Sequence, residues 1–482
     1  MTSTLQRWWQ DWMRGAPEAA AERARARLAA HGWPTGLSAL LARLREGGHA
    51  AYLVGGTVRD ALLGRAPSGE IDVATDLLPD EVARRFARVV PTGARHGTVT
   101  IVEGGLVVEC TTFRREGGYS DARRPDRVEF TTDPVDDLGR RDLTVNALAW
   151  DPATGVLLDP HDGALDLERR VLRAVGEPLA RFREDALRPL RVARFTATLE
   201  MDPDQPLRAA LVALAAPESG VRAAGVAAER VCAELQLMLG APEPSRGFEV
   251  LREAGLLEVW LPELARCRGV PQNRFHAYDV YFHSVYTCDA APVTKPDVRW
   301  AALLHDIGKP DTRVEREGEG TFYNHQFVSA ELADRLLERL RFPHDRRARV
   351  VHLVREHMFD YRPAWGDAAL RRWLRRVGPE HVADLFDLRI ADMLGNGLKQ
   401  GFPASLDQMR TRIERLLAAS GALHVTDLAV DGNDVMGELG LAPGPAVREA
   451  LEALLEEVMD DPSRNTREHL LSRLRERRAA DA

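Results

Sequence analysis

Residues 52–76, YLVGGTVRDALLGRAPSGEIDVATD, constrain this chain more than any other stretch. An apolar run ends in Gly55-Gly56. A helix-like segment with Arg59 and Asp60 follows, and a second short apolar run then presents Glu70 and Asp72. Alternate side chains of a strand share a face, so both carboxylates project together. Backbone N–H groups of a glycine turn cradle phosphates. Paired carboxylates hold magnesium ions that bridge attacking and leaving oxygens. A lone Gly-Gly is common, and two acids on one strand face are usually a solvated face. The turn, the Arg-Asp pair and the acidic pair in this order read as a phosphoryl-transfer site.

The surroundings give the fold class. AYLVGG, EIDVAT, GTVTIV, LVVECTTF and RVEFTT are short strand runs mixed with helices, which predicts an α+β head with a small sheet. Helical patterns dominate from residue 160 on. At 482 residues three or four domains are expected. We divide the chain into a helical leader (1–37), a head (38–160), a helical neck (161–260), a histidine-bearing body (261–403) and a helical tail (404–482). In the leader, Trp8, Trp9 and Trp12 lie close on a helical surface, which suits packing against the body. A net charge of −8 excludes a chain that coats nucleic acid indiscriminately, though not one with a local basic groove. Cys110, Cys232, Cys267 and Cys288 form no C-x-x-C pair, so neither a zinc ribbon nor a disulfide framework is indicated. The N-terminal MTSTLQRWWQDWMRG lacks a signal peptide's apolar core, and no apolar stretch reaches the length of a membrane span. A cytoplasmic enzyme with no membrane partner is expected. No oligomeric state can be read.

G-G-x-V-R-D-x-L-L-G followed by acid-x-acid resembles the class II tRNA nucleotidyltransferases. These belong to the DNA polymerase beta-like superfamily, which includes CCA-adding enzymes and bacterial poly(A) polymerases. The resemblance covers most of residues 50–235. It implies that Glu70 and Asp72 hold magnesium and that Gly55, Gly56 and Arg59 face the nucleotide. One departure stands out: the family's first carboxylate is normally Asp, and Glu70 reaches one methylene further while magnesium is strict about distance. Residues 92–99 match the family's T-G-x-x-H-G-T-V segment, where His96 is either a structural turn residue or part of the substrate site. Glu109, after alternating apolar residues, is either a third catalytic carboxylate or the ion-pair partner of Arg114. Residues 117–130 are polar and dense in Arg and Asp. They resemble the family's flexible loop, Y-x-D-x-R-R-P, at a length that favours enzymes able to add the terminal A.

Arg140, Arg141, Asp142 and Asn146 match R-R-D-x-T-x-N-A. There the resemblance implies arginines on phosphate and an Asp on a ribose hydroxyl. Within RFREDALRPLRVARF, Asp185 and Arg188 are three apart and share a helix face, either as an ordinary ion pair or as an acceptor and donor reading a base edge. E-D-x-x-R matches the family motif that selects C and A, with Glu184 organising the Arg. Arg191 and Arg194 extend the basic face toward phosphate.

Further on come His283, His305-Asp306 in ALLHDIGKP, His325, His357 and Asp392. This order resembles the HD phosphohydrolase superfamily. It implies one divalent metal (Ni, Mn, Fe or Mg) on His283, His305, Asp306 and Asp392. His325 and His357 fit a second metal position, His352 is a rival to His357, and Lys309 is a candidate phosphate contact. In that superfamily the metal activates water against phosphomonoesters or cyclic phosphodiesters. The tail segment LAVDGNDVMGELG resembles the nucleotidyltransferase tail, a tRNA-holding region. RRARVVHLVREH and ALRRWLRRV offer a further Arg-rich RNA surface.

Together these readings predict template-independent addition or repair of the 3′ CCA end of tRNA from CTP and ATP, with an accessory HD phosphohydrolase. The alternatives are an enzyme adding only the final A, a poly(A) polymerase, a chain acting mainly as a hydrolase, and a non-catalytic tRNA binder.

Overall fold

The protein is described from a computed structural model covering residues 2–65, 69–117, 127–214, 216, 219–221, 223–274, 276–316, 319–398, 404–419 and 422–480. The loop motif at residues 119–125 lies outside the described residues. The chain divides into two compact units, Met1–Pro262 and Glu263–Ala482.

The first unit is built on one seven-stranded sheet. Its strands are β1 (Ala51–Val54), β2 (Glu70–Thr75), β3 (Val89–Gly93), β4 (Thr98–Glu103), β5 (Leu106–Thr112), β8 (Ala149–Asp151) and β9 (Val156–Leu158). A separate hairpin pairs β6 (Arg114–Gly117) with β7 (Arg127–Phe130). The sheet order is β3-β4-β5-β2-β1-β8-β9. Within it, β2 and β5 run parallel while every other pair is antiparallel. The parallel register sets Asp72 beside Glu109. Strand alternation works as expected: Ile71 and Val73 are buried, while Glu70 and Asp72 take the opposite face.

The apolar run AYLV ends where Gly55 opens the helix Gly55–Leu62. The leader is the helix Thr2–Ala30. It buries Ala20, Ala24 and Leu28, and Arg23 forks onto Glu168 at 2.8 and 2.7 Å. The side chains of Trp8, Trp9 and Trp12, expected to pack against the body, lie outside the described residues. Helices Pro178–Glu184, Arg188–Leu199, Gln205–Ala213 and Ala228–Leu239 follow the sheet.

In the second unit, helices Val280–Ala290, Pro296–Leu304, His325–Arg339, His344–Glu356 and Val382–Gly395 carry the histidine residues and their neighbours. A Cβ on Gly395 would lie 2.6 Å from the Thr287 Cα. Glycine there lets helices Val280–Ala290 and Val382–Gly395 touch, which draws His283 toward Asp392. The tail helices Gly432–Leu439, Pro445–Asp460 and Arg467–Ala480 share an apolar core of Val435, Leu454, Leu455, Val458, Leu470 and Leu474.

The Arg-rich helices differ from their expected role as an open RNA surface. Arg372 of helix Asp367–Val377 donates to Glu456 (2.9 Å) and Asp460 (2.7 Å), and Arg375 donates to Glu456 (3.0 Å). Arg349 of helix His344–Glu356 is paired with Asp384, and Arg346 with Asp297. These guanidiniums join helices to one another.

Candidate active site

Strand β2 and the turn after β1 meet at a cleft of about 780 Å³. Gly55 takes φ +59°, a left-handed conformation natural to glycine, and a Cβ there would strike the Arg141 guanidinium. A Cβ on Gly56 would stand 3.1 Å from an Asp72 carboxylate oxygen. The paired glycines thus admit the backbone to within contact of the carboxylate. The Thr57 hydroxyl accepts the Asp72 backbone N–H at 2.8 Å.

Asp72 and Glu109 both line the cleft. Glu70, at the exposed start of β2, opens on an adjacent recess of about 200 Å³ that shares Asp72, Gly56 and Arg59. Burial lifts the Asp72 carboxyl above its ordinary value, and Arg141, Arg59 and the N–H groups of Thr57 and Gly56 offset only part of that. Burial also lifts Glu109, helped by Asp72 and then Glu70, with Arg114 a lesser opposing charge. Asp72 and Glu109 stand side by side on neighbouring strands, and Glu70 begins the same strand as Asp72.

The arginines are held by acids that sequence reading missed. Buried Asp137 accepts Arg140 at 2.9 and 2.7 Å and Arg141 at 3.2 Å. The buried Nε of Arg141 has no partner among the described residues and remains a spare donor beside the cleft. Arg59 donates to Asn146 Oδ1 at 2.6 Å and to Asp60. Asp142 accepts Asn146 Nδ2 at 3.0 Å and Arg191 Nε at 2.7 Å. Burial alone would raise Asp142, but Arg191, Asn146 and Arg188 outweigh it and hold the carboxyl well below the usual range. Arg191 and Arg194 line the cleft, yet both are engaged by Glu234, and Arg191 also by Asp142. The expected open basic face is therefore a charge-paired wall.

Asp185 and Arg188 do not sit on one helix. Asp185 ends helix Pro178–Glu184 in extended backbone, and Arg188 begins helix Arg188–Leu199. Pro189 explains the break, since a proline favours the first turn of a new helix. The joint still delivers both residues to the cleft. Glu184 grips Arg188 as expected, and Arg188 also donates to the carbonyls of Arg181 (3.1 Å) and Arg140 (3.0 Å). Asp185 is forked by Arg230 at 3.1 and 2.6 Å. Arg230 and Glu234 were legible only as charges one turn apart in the helical segment ERVCAELQLML. His96 is exposed, lines the cleft and accepts Arg114 on its carbonyl.

The second unit gathers the histidines. His305 ends helix Pro296–Leu304, and Asp306 lies in the turn beyond it, not on a helix. His283, His305 and Asp306 form one buried group; Asp306, His325 and His357 form another. Asp306 belongs to both. Asp392 Oδ1 is 3.2 Å from His283 Nε2. The Nδ1 atoms of His305, His325 and His357 bond the carbonyls of Ala302, Phe322 and Val354 at 2.7–2.8 Å. Those bonds assign the proton to Nδ1 and leave Nε2 as an acceptor. His325 and His357 then face each other Nε2 to Nε2 at 3.3 Å, and His283 and His305 do so at 3.2 Å. Four imidazole rings turned on one carboxylate fit a cation between them. Burial, His305 and His325 push His357 down to about 3, so it is neutral, as a ligand must be. Against burial, Asp306 and Asp392 lift His283 to about 9, so a positive charge is favoured where a metal would sit. Lys309 Nζ lies 2.5 Å from Asp306 and 2.6 Å from Gln272 Oε1. His352 donates to or accepts at none of these groups; its Nε2 bonds the Val377 carbonyl at 2.7 Å.

A glycine turn, flanking acids on parallel strands and the adjoining Asp185–Arg188 joint have the layout of a nucleotidyltransferase, carried with an HD-type histidine cluster. Residues 51–173 match the family described as Poly A polymerase head domain. Residues 204–267 match "Probable RNA and SrmB- binding site of polymerase A", and residues 275–397 match the HD domain. The CCA-adding enzyme of Geobacillus stearothermophilus is 31% identical over 439 residues, covering 91% of this chain and 96% of that protein. The A-adding tRNA nucleotidyltransferase of Deinococcus radiodurans is 37% identical over 417 residues, 84% of this chain and 91% of that protein. The crystal structure of the Bacillus stearothermophilus CCA-adding enzyme in complex with CTP superposes with a TM-score of 0.69 at 28% identity, covering 92% of this chain and 97% of that one. The chain belongs to the CCA-adding enzyme family of tRNA nucleotidyltransferases. No helix among the described residues is long and apolar enough to cross a membrane.

Proposed function

We propose that this protein builds or repairs the 3′-terminal CCA of tRNA, adding C and A from CTP and ATP without a template. The observation that carries this is the convergence of Asp72 and Glu109 with the Asp185–Arg188 joint around one cleft. The base edge is read by Asp185 as acceptor and Arg188 as donor, with Glu184 fixing the Arg188 fork. Gly55 and Gly56 leave room for the triphosphate, and Arg59, Arg141 and Arg191 supply positive charge beside it. Asp142 and Asn146 are bonded to each other and form the ribose side. The 3′ hydroxyl attacks the α-phosphate, the new phosphodiester forms and pyrophosphate leaves. Glu109, lifted by burial and by its acidic neighbours, is suited to accept the hydroxyl proton. Magnesium held by Glu70 and Asp72, with Glu109, would neutralise charge on the transferring phosphate.

In the second unit, His283, His305, Asp306 and Asp392, with His325 and His357 beyond Asp306, would hold Ni, Mn, Fe or Mg. Such an ion would activate water against phosphate esters at damaged tRNA ends. The tail at 404–482 serves as a tRNA-holding module. Four buried free cysteines suit a reducing, cytoplasmic setting.

The test offers purified enzyme three tRNAs, ending before CCA, after C and after CC, with CTP and ATP supplied separately. CCA addition extends the first two with CTP and the third with one A. The Deinococcus relative, at 37% identity, favours a second reading in which only the CC-ended tRNA is extended. A long A tail would instead identify a poly(A) polymerase.

A further inference from the structure

Helix Ala228–Leu239 is the back wall of the selector, and two of its charged side chains, one turn apart, face the cleft residues. Glu234 takes Arg191 and Arg194. Arg230 takes Asp185, with Nη1 at 3.1 Å from Oδ1 and Nη2 at 2.6 Å from Oδ2. A two-pronged guanidinium contact fixes the plane of a carboxylate as well as its position. The Leu187 N–H adds a third bond to Oδ1 at 3.0 Å. Asp185 and Arg230 both line the cleft.

We propose that Arg230 is a specificity-determining positioning residue: it pins Asp185 so that the cleft offers only acceptors at that point. This rests on the nucleotidyl-transfer reading above. Oδ1 is filled by Arg230 and the Leu187 N–H, while Oδ2 accepts only from Arg230 and keeps a lone pair for a further bond. Cytosine and adenine share an exocyclic amino group, whereas uracil and guanine carry a carbonyl oxygen at the corresponding edge position. An amino group donates into the fixed carboxylate. A carbonyl oxygen meets it acceptor to acceptor. Arg188, anchored separately by Glu184 and by the Arg181 and Arg140 carbonyls, supplies the donor for the neighbouring ring position. Without Arg230, Asp185 sits at the free end of a short helix with one backbone bond left, and the acceptor plane swings.

The experiment uses the full-length enzyme and a tRNA ending before CCA. Single-turnover incorporation is measured with CTP and UTP, and on a CC-ended tRNA with ATP and GTP. Arg230→Ala should reduce the CTP-over-UTP and ATP-over-GTP preferences by roughly tenfold to a hundredfold, the worth of a charge-assisted pair. Arg230→Lys, which keeps the charge but not the fork, should recover part of the loss. The double variant R230A/D185N should discriminate no worse than D185N alone, because Arg230 acts through Asp185. Thermal unfolding accompanies each variant. Should R230A not fold, Arg230→Gln, which retains one donor, takes its place. Unchanged preference in a folded R230A or R230Q overturns the proposal. So does an equal loss for all four nucleotides, or an additive double variant. Absence of both CTP and ATP incorporation by the unaltered enzyme would instead overturn the transfer reading.

Discussion

At the scale of single residues, two positions decide whether the cleft works. Gly55 combines a left-handed backbone with contact to Arg141, so Gly55→Ala faces conformational strain of about 1–2 kcal/mol and a displaced guanidinium. A catalytic group shifted by about an ångström costs roughly a hundredfold in rate. CTP incorporation by G55A should fall by about that factor while its thermal transition drops by only roughly 2–8 °C, and near-normal kcat/KM would contradict the close approach. Asp142 makes a prediction about acid. Its carboxyl titrates well below the unfolded value of about 3.9, because Arg191, Asn146 and Arg188 overcome burial. A depressed carboxyl contributes stability that is complete above the unfolded value and is lost as pH falls toward the folded one. Near neutrality Asp142→Asn should cost about 3–5 kcal/mol, the cost of stranding a buried partner. Below about pH 4 the gap between the two proteins in urea unfolding should narrow steadily. A gap constant from pH 7 to pH 3 would remove Asp142 from that role.

Between elements, the question is what does more to hold the tail helices in place: their own apolar core, or the ion pairs that tie them to the helix Asp367–Val377. The lattice of Arg372 and Arg375 with Glu456 and Asp460 is half exposed, and such pairs contribute less than about 1 kcal/mol each. Leu455 is fully buried in the apolar cluster beneath. Leu455→Ala should therefore cost about 2–5 kcal/mol in chemical denaturation and Arg372→Ala less than about 1. The reverse order would make the ion lattice the fastening. The same contrast explains what could be read in advance. Strands β2 and β5 announce themselves by alternation, and the carboxylates on them could be placed by counting. The joint at Asp185 was readable too, since Pro189 marks a helix start, but the three-residue spacing to Arg188 suggested one helix face. Arg230 and Asp137 were not legible as site residues. Their roles come from side chains meeting across tertiary folds, 45 residues apart for Arg230 and Asp185, and no local pattern encodes such a meeting. The Arg-rich helices misled for the same reason: composition gives the charge, and only packing gives the partner.

For the whole molecule, the two candidate sites draw on separate residues in separate units, and the proposed separation of their chemistries is testable. Asp72 belongs to the cleft of the first unit and Asp306 to both histidine groups of the second. Asp72→Ala should abolish nucleotide incorporation while hydrolysis of a 2′,3′-cyclic phosphate persists; Asp306→Ala should do the opposite. Asp306 also lets binding be seen without catalysis. In the cluster, four imidazole rings surround a carboxylate, so an ion that binds the folded form selectively raises its stability by about 2.7 kcal/mol at a hundredfold excess over the dissociation constant. Titrating Mn²⁺ or Ni²⁺ into metal-stripped enzyme should therefore raise the unfolding temperature of the unaltered protein and of D72A alike. The D306A protein should show no such rise, because both histidine groups lose their shared carboxylate. A rise of equal size in D306A would place the stabilising ion elsewhere and leave the histidines as packing residues.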